Sequence, residues 1–315
     1  MNDFLLTVFS AAFLATVIRT STPLLLATLG GLISDLSGAL NVALDGIMLI
    51  GCLTAVIVSH YAPWYVGVLG GIGAGAAVGL IMAFFHLRMK ADIIIVGFAI
   101  GALATGGTVF ALSLATGGDK GTSINLPSGA VPAVDLGFLG AIPGIGPALV
   151  AIFSGHSLLS WVAGFLVFAI WYFLYRTPWG LWLRAVGEYP AAPEAAGIPV
   201  NTVRFWSLIV SGALAGLGGA QLAMFNFIGF TANMTAGRGF IALGAVLLGA
   251  RHPVGVMFAA LLFGAFDGLT NVLPGHYPWI PPELIRMIPF AVTILALLLF
   301  SYRAQRALAL RGVKA

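Results

Sequence analysis

The chain has 315 residues, of which 60% are hydrophobic and 8% are charged, and its formal net charge is +4. Soluble domains carry roughly 25% charged residues, and one folded core of this size cannot bury so much apolar surface. The composition therefore excludes a water-soluble protein and predicts one whose exterior faces lipid.

Nine apolar segments are candidate membrane spans, since a helix needs about 20 residues to cross the hydrocarbon layer. They lie at residues 4–33, 41–60, 64–87, 92–115, 158–175, 204–225, 237–250, 254–273 and 284–302. The first contains Arg19 and Pro23, which is compatible with a bend or with two pieces. The seventh is short and is a candidate half-helix. We predict a single all-α polytopic transmembrane domain over residues 1–315, with about eight to ten spans.

Basic residues between the spans predict the orientation. They follow the third, fifth, seventh and last spans: Arg88, Lys90, Arg176, Arg184, Arg204, Arg251, Arg303, Arg306, Arg311 and Lys314. The positive-inside rule places these connections in the cytoplasm, which explains the net positive charge without a nucleic-acid partner. Residues 116–157, whose single basic residue is Lys120, are then an external loop.

Glycines recur at helical spacing in two spans, at Gly67, Gly71, Gly75 and Gly79 and again at Gly212 and Gly216. Small residues on one face let helix backbones approach closely. Ordinary helix packing explains these glycines, and an interface that moves during transport is the alternative.

Sequence signals for chemistry are missing. The sequence has no Gly-x-x-x-x-Gly-Lys-Ser/Thr phosphate loop, and its five histidines lie apart, without metal-ligand spacing. No nucleophile lies beside a base. We therefore predict that the chain is not an enzyme and binds no metal.

Residues 176–203 form a long cytoplasmic connection in which alanine-rich pieces are broken by proline and glycine. This composition predicts short helices along the membrane surface, with charges of both signs from Arg184, Glu188 and Glu194. From the residues alone, an ordinary interfacial loop and a surface that a separate motor grips are equally supported.

The same segment contains a longer motif at Gly180-Leu181, Arg184-Ala185, Gly187-Glu188, Pro190 and Ala196-Gly197-Ile198. It resembles the coupling region of bacterial ABC-transporter permeases of the branched-chain amino acid, ribose and nucleoside superfamily. Pro193 replaces one alanine of that pattern. The resemblance implies that the ATPase-coupling residues are Arg184, Gly187, Glu188, Pro190, Glu194 and Gly197.

Segments elsewhere in the chain also resemble this superfamily, at residues 22–31, 38–48, 211–220, 237–243 and 287–290, although Asp45 stands where glutamate is usual. The resemblance implies a permease subunit of an ATP-driven importer in the bacterial inner membrane, most similar to the shorter permease of nucleoside and simple-sugar importers. Its partners would be an ABC ATPase, a second and longer permease forming a heterodimer, and an external solute-binding protein. The ATPase would use the ATP, and this chain would bind no cofactor. A stand-alone secondary transporter or channel is the alternative.

Polar residues inside predicted spans are candidates for the translocation pathway, because such residues are costly in lipid and usually face protein or water. Asn41 and Asp45 are four residues apart, as are Asp267 and Asn271, so each pair is expected to share one helix face. A buried structural hydrogen-bond cluster is the alternative for both pairs.

A group of aromatic and amide side chains precedes the seventh segment. Phe225, Asn226 and Asn233 could hold a base or a sugar by stacking and hydrogen bonding, and an external aromatic belt is the alternative. Arg238 follows this group and could pair with an acid, cap the pathway or reach the membrane surface.

Overall fold

The computed structural model describes Thr7, residues 10–141 and 146–277, and, further along, residues 279, 281, 284–285, 287–295 and 298. Its helices are α1 (Ala11–Leu36), α2 (Leu44–Tyr61), α3 (Trp64–Ala83), α4 (Ile93–Thr116), α5 (Gly146–Phe153), α6 (Leu158–Arg176), α7 (Pro178–Glu188), α8 (Ala191–Ala195), α9 (Val200–Gln221), α10 (Arg238–Leu248) and α11 (Pro253–His276). The π-helical turns Phe84–Arg88 and Leu222–Asn226 continue α3 and α9, and residues Gly137–Ala141 form a 3₁₀ turn. Strands β1 (Ala133–Val134) and β2 (His156–Ser157) pair antiparallel.

The helical-bundle prediction is confirmed. Within the described residues, seven helices are long and apolar enough to cross a membrane: α1, α2, α3 with its π-turn, α4, α6, α9 with its π-turn, and α11. The seventh predicted segment is the 11-residue α10, so its prediction as a half-helix is also confirmed. The ninth predicted span is helical over residues 288–295, and most of its remainder lies outside the described residues.

Helix α1 runs unbroken through Pro23 and forms the centre of the bundle, packing against α9, α10 and α11. A proline removes one backbone donor and leaves the carbonyl four residues earlier without its helical partner. Here that carbonyl belongs to Arg19, and the Nδ2 atom of Asn226 donates to it at 3.2 Å. A side chain from α9 therefore provides the hydrogen bond that the proline takes away.

The glycines of α3 and α9 face each other. A Cβ atom added at Gly75 would lie 2.9 Å from the Cα of Gly216, and one at Gly79 would lie 3.2 Å from the Cα of Ile209. In both cases the obstacle is backbone, which cannot rotate away. The predicted close packing of helix backbones is thus confirmed.

Residues of the predicted external loop pack over the segment that follows α9. The backbone N–H of Phe230 donates to the hydroxyl of Ser123 at 2.7 Å, and that of Val131 donates to the carbonyl of Met224 at 3.1 Å. The ring of Phe230 is fully buried there. The loop therefore helps to hold the residues that lead into α10.

Candidate translocation and coupling sites

Helix α10 begins against the first turn of α2. The residues before it include Asn233, Ala236 and Gly237 in the left-handed region, with φ of 57°, 47° and 79°. The chain changes direction at these residues, and α10 then begins beside α2. The first N–H groups of a helix lack partners within the helix, so α10 needs an acceptor at this position.

Asp45 supplies that acceptor. Its Oδ1 accepts from the N–H of Gly239 at 3.0 Å, and its Oδ2 accepts from the hydroxyl of Thr235 at 3.2 Å. A carboxylate also interacts favourably with the positive end of the helix dipole. Helix α10 approaches so closely that a Cβ at Gly239 would lie 2.6 Å from the Cβ of Asp45. Asp45 therefore fixes the start of the half-helix.

The expectation that Asn41 shares a helix face with Asp45 is wrong, because α2 begins only at Leu44. The Oδ1 of Asn41 accepts from the N–H of Ala43 at 3.0 Å, a local turn that competes with helix formation. Its Nδ2 donates to the hydroxyl of Ser211 at 3.0 Å, and the side chain is fully buried. Asn41 thus ties the α1–α2 connection to α9.

Arg238 and Asp267 form an ion pair between α10 and α11. The Nη2 atom of Arg238 lies 3.0 Å from Oδ2 and 3.3 Å from Oδ1 of Asp267. The Nη1 atom donates to the backbone carbonyls of Met234 and Thr235 at 3.2 and 3.3 Å. One guanidinium therefore holds both the turn before α10 and the neighbouring helix.

This ion pair lines an open cavity of about 330 Å³. The cavity volume lies within the ~300–1,000 Å³ range of small-molecule sites. Polar and aromatic side chains share its wall: Phe227, Asn233, Arg238, Asp267, Thr270, Asn271 and Phe290. We call this space the α10 cavity.

The predicted pathway residues thus fall into separate places. Asn233, Asp267 and Asn271 come together in the α10 cavity. Asp45 lines a second hollow of about 250 Å³, with Thr105 and Phe240 among its other wall residues.

Phe225 and Asn226 belong to a third cluster, around Arg19. The guanidinium of Arg19 lies 4.9 Å from the ring centroid of Phe225 and donates to its carbonyl at 3.2 Å. Asn226, as described above, donates to the carbonyl of Arg19. Both residues are therefore engaged in holding α9 against α1.

Between α6 and α9, the predicted short helices are present as α7 and α8. Inward contacts hold α7: a Cβ at Gly187 would lie 3.0 Å from the backbone nitrogen of Gly38. The guanidinium of Arg184 lies 4.6 Å from the ring centroid of Tyr175. Glu188 and Glu194 are exposed. The segment thus has a packed inner side and an acidic outer side.

Helix α8 forms despite Pro193, which replaces an alanine of the family pattern. Pro193 lies in the first turn, where backbone N–H groups have no helical acceptor in any case. Its carbonyl accepts from the N–H of Ile198 at 2.9 Å, after Gly197 has reversed the chain at φ 81°. Pro190 immediately precedes the helix. The substitution is therefore compatible with the short helix.

Predicted cytoplasmic connections meet at one end of α1. Arg251 forms an ion pair with Asp35 at 2.8 Å, and the Nε of Arg204 donates to the carbonyl of Ser37 at 3.2 Å. Arg88 lines a hollow together with Asn201. These basic residues therefore lie near one another in space, and their cytoplasmic placement stays a prediction of the positive-inside rule.

Comparison with known proteins identifies the family. The family model described as "Branched-chain amino acid transport system / permease component" matches residues 13–297. The chain belongs to this permease family. It is therefore a multi-pass membrane protein and a permease subunit of an ABC importer, and the family assignment confirms that it is not an enzyme.

Several proteins named as ABC transporter permeases are similar over most of their length. The Guanosine ABC transporter permease protein NupQ of Bacillus subtilis is 37% identical over 298 residues, covering 90% of each chain. The Nucleoside ABC transporter permease protein NupC of Lactococcus lactis is 33% identical over 301 residues, covering 92% of each. The Guanosine ABC transporter permease protein NupP of Bacillus subtilis is 28% identical over 271 residues, covering 82% of this chain and 74% of its own.

Some residues of the α10 cavity were not singled out from the permease sequence as pathway candidates. Thr270 could have been found, because it lies three residues after Asp267 and thus on the same helix face. Phe290 lies far along the chain in an apolar segment, and no local pattern marks it. Thr235, which binds Asp45, likewise gives no signal of its own.

Proposed function

We propose that this permease subunit carries nucleosides into the cell. The main support is its similarity to the two permeases named for guanosine and nucleosides, each matched over nine-tenths or more of both chains. Those names describe the relatives, and a shared solute is the simplest extension of the similarity to this chain.

The complete transporter in this proposal contains a second permease, an ABC ATPase and an external solute-binding protein, in a bacterial inner membrane. The match covers 82% of this chain but only 74% of NupP, so NupP is the longer protein. NupP is therefore the model for a longer partner in a heterodimer. ATP is used by the ATPase alone.

Helices α7 and α8 form the coupling surface for the ATPase. The exposed acids Glu188 and Glu194 provide charged contacts, and the packing of Gly187 against the α1–α2 connection transmits movement into the bundle. Arg184 and Gly197 maintain the shape of this surface, and Pro190 marks the start of α8.

The α10 cavity is the part of the pathway that this subunit contributes. Lipid cannot satisfy polar side chains, yet Asn233 and Asn271 are exposed here. A neighbouring permease and water covering this face would satisfy them.

The test is uptake of radiolabelled guanosine by proteoliposomes that contain the complete transporter. We expect uptake that requires ATP on the ATPase side and the solute-binding protein on the other. Replacing both exposed acids (E188Q with E194Q) should abolish uptake while the permease still inserts normally. Uptake without any ATPase would establish a stand-alone transporter. Uptake of sugars in place of guanosine would refute the proposal that nucleosides are the solute.

A further inference from the structure

The α10 cavity holds one acid and one base side by side. Arg238 and Asp267 lie 3.0 Å apart, and among the described lining residues they carry the only full charges, so their sum is zero. A wall that is polar but neutral overall suits an uncharged polar solute, because Arg238 and Asp267 already pair with each other and leave no unpaired charge to bind an ionic solute.

Arg238 leaves part of the Asp267 carboxylate free. Only one nitrogen of Arg238, Nη2, contacts the two oxygens, whereas a carboxylate offers about four lone-pair positions. The side chain of Asp267 keeps 25% of its surface exposed. Two further hydrogen bonds can therefore be accepted from a solute without breaking the ion pair.

Hydroxyl groups match this arrangement best. A hydroxyl both donates and accepts, so it can donate to Asp267 while it accepts from the adjacent guanidinium of Arg238. Two neighbouring hydroxyls can bind both carboxylate oxygens at once. The amide of Asn271, one turn further along α11, offers an additional donor and acceptor.

The rings of Phe227 and Phe290 supply apolar surface elsewhere in the cavity wall, and they are 57% and 42% exposed. Aromatic faces stack on any base with little sequence preference. The cavity therefore combines one position for a pair of hydroxyls with surface that accepts different bases.

We infer that Asp267, held by Arg238, recognises the 2′,3′-diol of ribonucleosides and makes this subunit select ribonucleosides over their deoxy counterparts. The inference rests on the proposed nucleoside transport and assigns a selectivity to the permease itself. Recognition of a guanine edge by the same carboxylate is the competing possibility, which the experiment separates.

The experiment compares ATP-driven uptake of guanosine, 2′-deoxyguanosine and inosine in proteoliposomes containing the complete transporter. The solute-binding protein is the same in every reaction, so a change in the uptake ratio between variants must come from the permease. We expect D267N to lower the guanosine to 2′-deoxyguanosine ratio by about tenfold, the effect of one charged hydrogen bond. Inosine, which has the same diol, should change in parallel with guanosine.

Asp35→Asn is the matched control, because Asp35 of α1 also pairs with an arginine, Arg251, but does not line the cavity. We expect D35N to leave the ratio unchanged. An unchanged ratio in D267N would overturn the inference, as would a loss for guanosine with inosine unaffected, which indicates base recognition. Neither result affects the proposed function, which stands on guanosine uptake by the wild type.

A second measurement does not depend on the folding of D267N. In the N271C variant, a water-soluble thiol reagent labels the cavity of the transporter complex without its solute-binding protein. Guanosine should slow labelling at least about threefold more than 2′-deoxyguanosine does, because only guanosine presents both hydroxyls and the extra hydrogen bond strengthens binding by at least that factor. Equal protection by the two nucleosides, or no protection by either, contradicts diol recognition.

Discussion

The contact between α3 and α9 makes a quantitative prediction about stability. In Gly75→Ala, the new Cβ would overlap the carbonyl oxygen of Gly212 and lie 2.9 Å from the Cα of Gly216, whereas ordinary contacts begin near 3.4 Å. The helices must therefore separate by at least about 0.5 Å, and the added carbon is fixed to the backbone and cannot avoid the clash. Forcing an extra carbon into a well-packed interface costs about 1–3 kcal/mol.

Gly73→Ala is the matched control, since Gly73 lies on the same helix and has nothing within 4 Å of its added Cβ. We expect G75A to lower the free energy of unfolding by about 1–3 kcal/mol relative to G73A. The measurement is unfolding in mixed detergent micelles with increasing SDS, followed by tryptophan fluorescence. Equal stability of the two variants would show that the α3 and α9 backbones are not in contact.

Two further predictions concern side-chain hydrogen bonds that hold the backbone. N226A should destabilise the protein by about 1–3 kcal/mol because the Arg19 carbonyl loses its partner, and adding P23A should remove most of that loss by restoring the backbone donor; additive effects in SDS unfolding would contradict this. D45A should destabilise the protein by about 1.5–3 kcal/mol for each of the two hydrogen bonds it removes, whereas D45N, which keeps one acceptor oxygen, should lose less stability. Hydrogen exchange at residues 237–241 should rise in D45A, and unchanged exchange there would contradict the role of Asp45.

Much of the fold could be predicted from composition and hydropathy. The spans at residues 64–87, 92–115 and 158–175 agree with α3, α4 and α6 within a few residues, because length and apolarity alone decide such helices. The half-helix α10 was also predictable, since a segment of its length cannot cross the membrane.

The path of the chain around Asn41 could not be predicted. Spacing indicated a helix, but a side-chain hydrogen bond to Ala43 and burial against Ser211 favour a non-helical turn. The continuity of α1 through Pro23 was equally hidden, because the amide that compensates for the proline lies in Asn226, about two hundred residues away.

The candidate site, too, could be predicted only in part from the sequence. Asp267 and Asn271 stood out because polar groups are rare in apolar helices, and helical spacing placed them together. The partner that gives Asp267 its geometry, Arg238, was singled out, although three roles remained open for it. Which of these applied depended on the packing of α10 against α11, which local sequence does not specify.

Cysteine accessibility at Asn271 tests most directly whether the α10 cavity lies on the transport path. The sole cysteine of the chain, Cys52, is fully buried, so the wild type is the unlabelled control for N271C. A membrane-impermeant thiol reagent should label N271C and stop ATP-driven guanosine uptake in proteoliposomes while leaving the wild type active. If N271C remains unlabelled throughout the ATP cycle, or if labelled N271C transports guanosine at the unlabelled rate, the cavity is not part of the pathway.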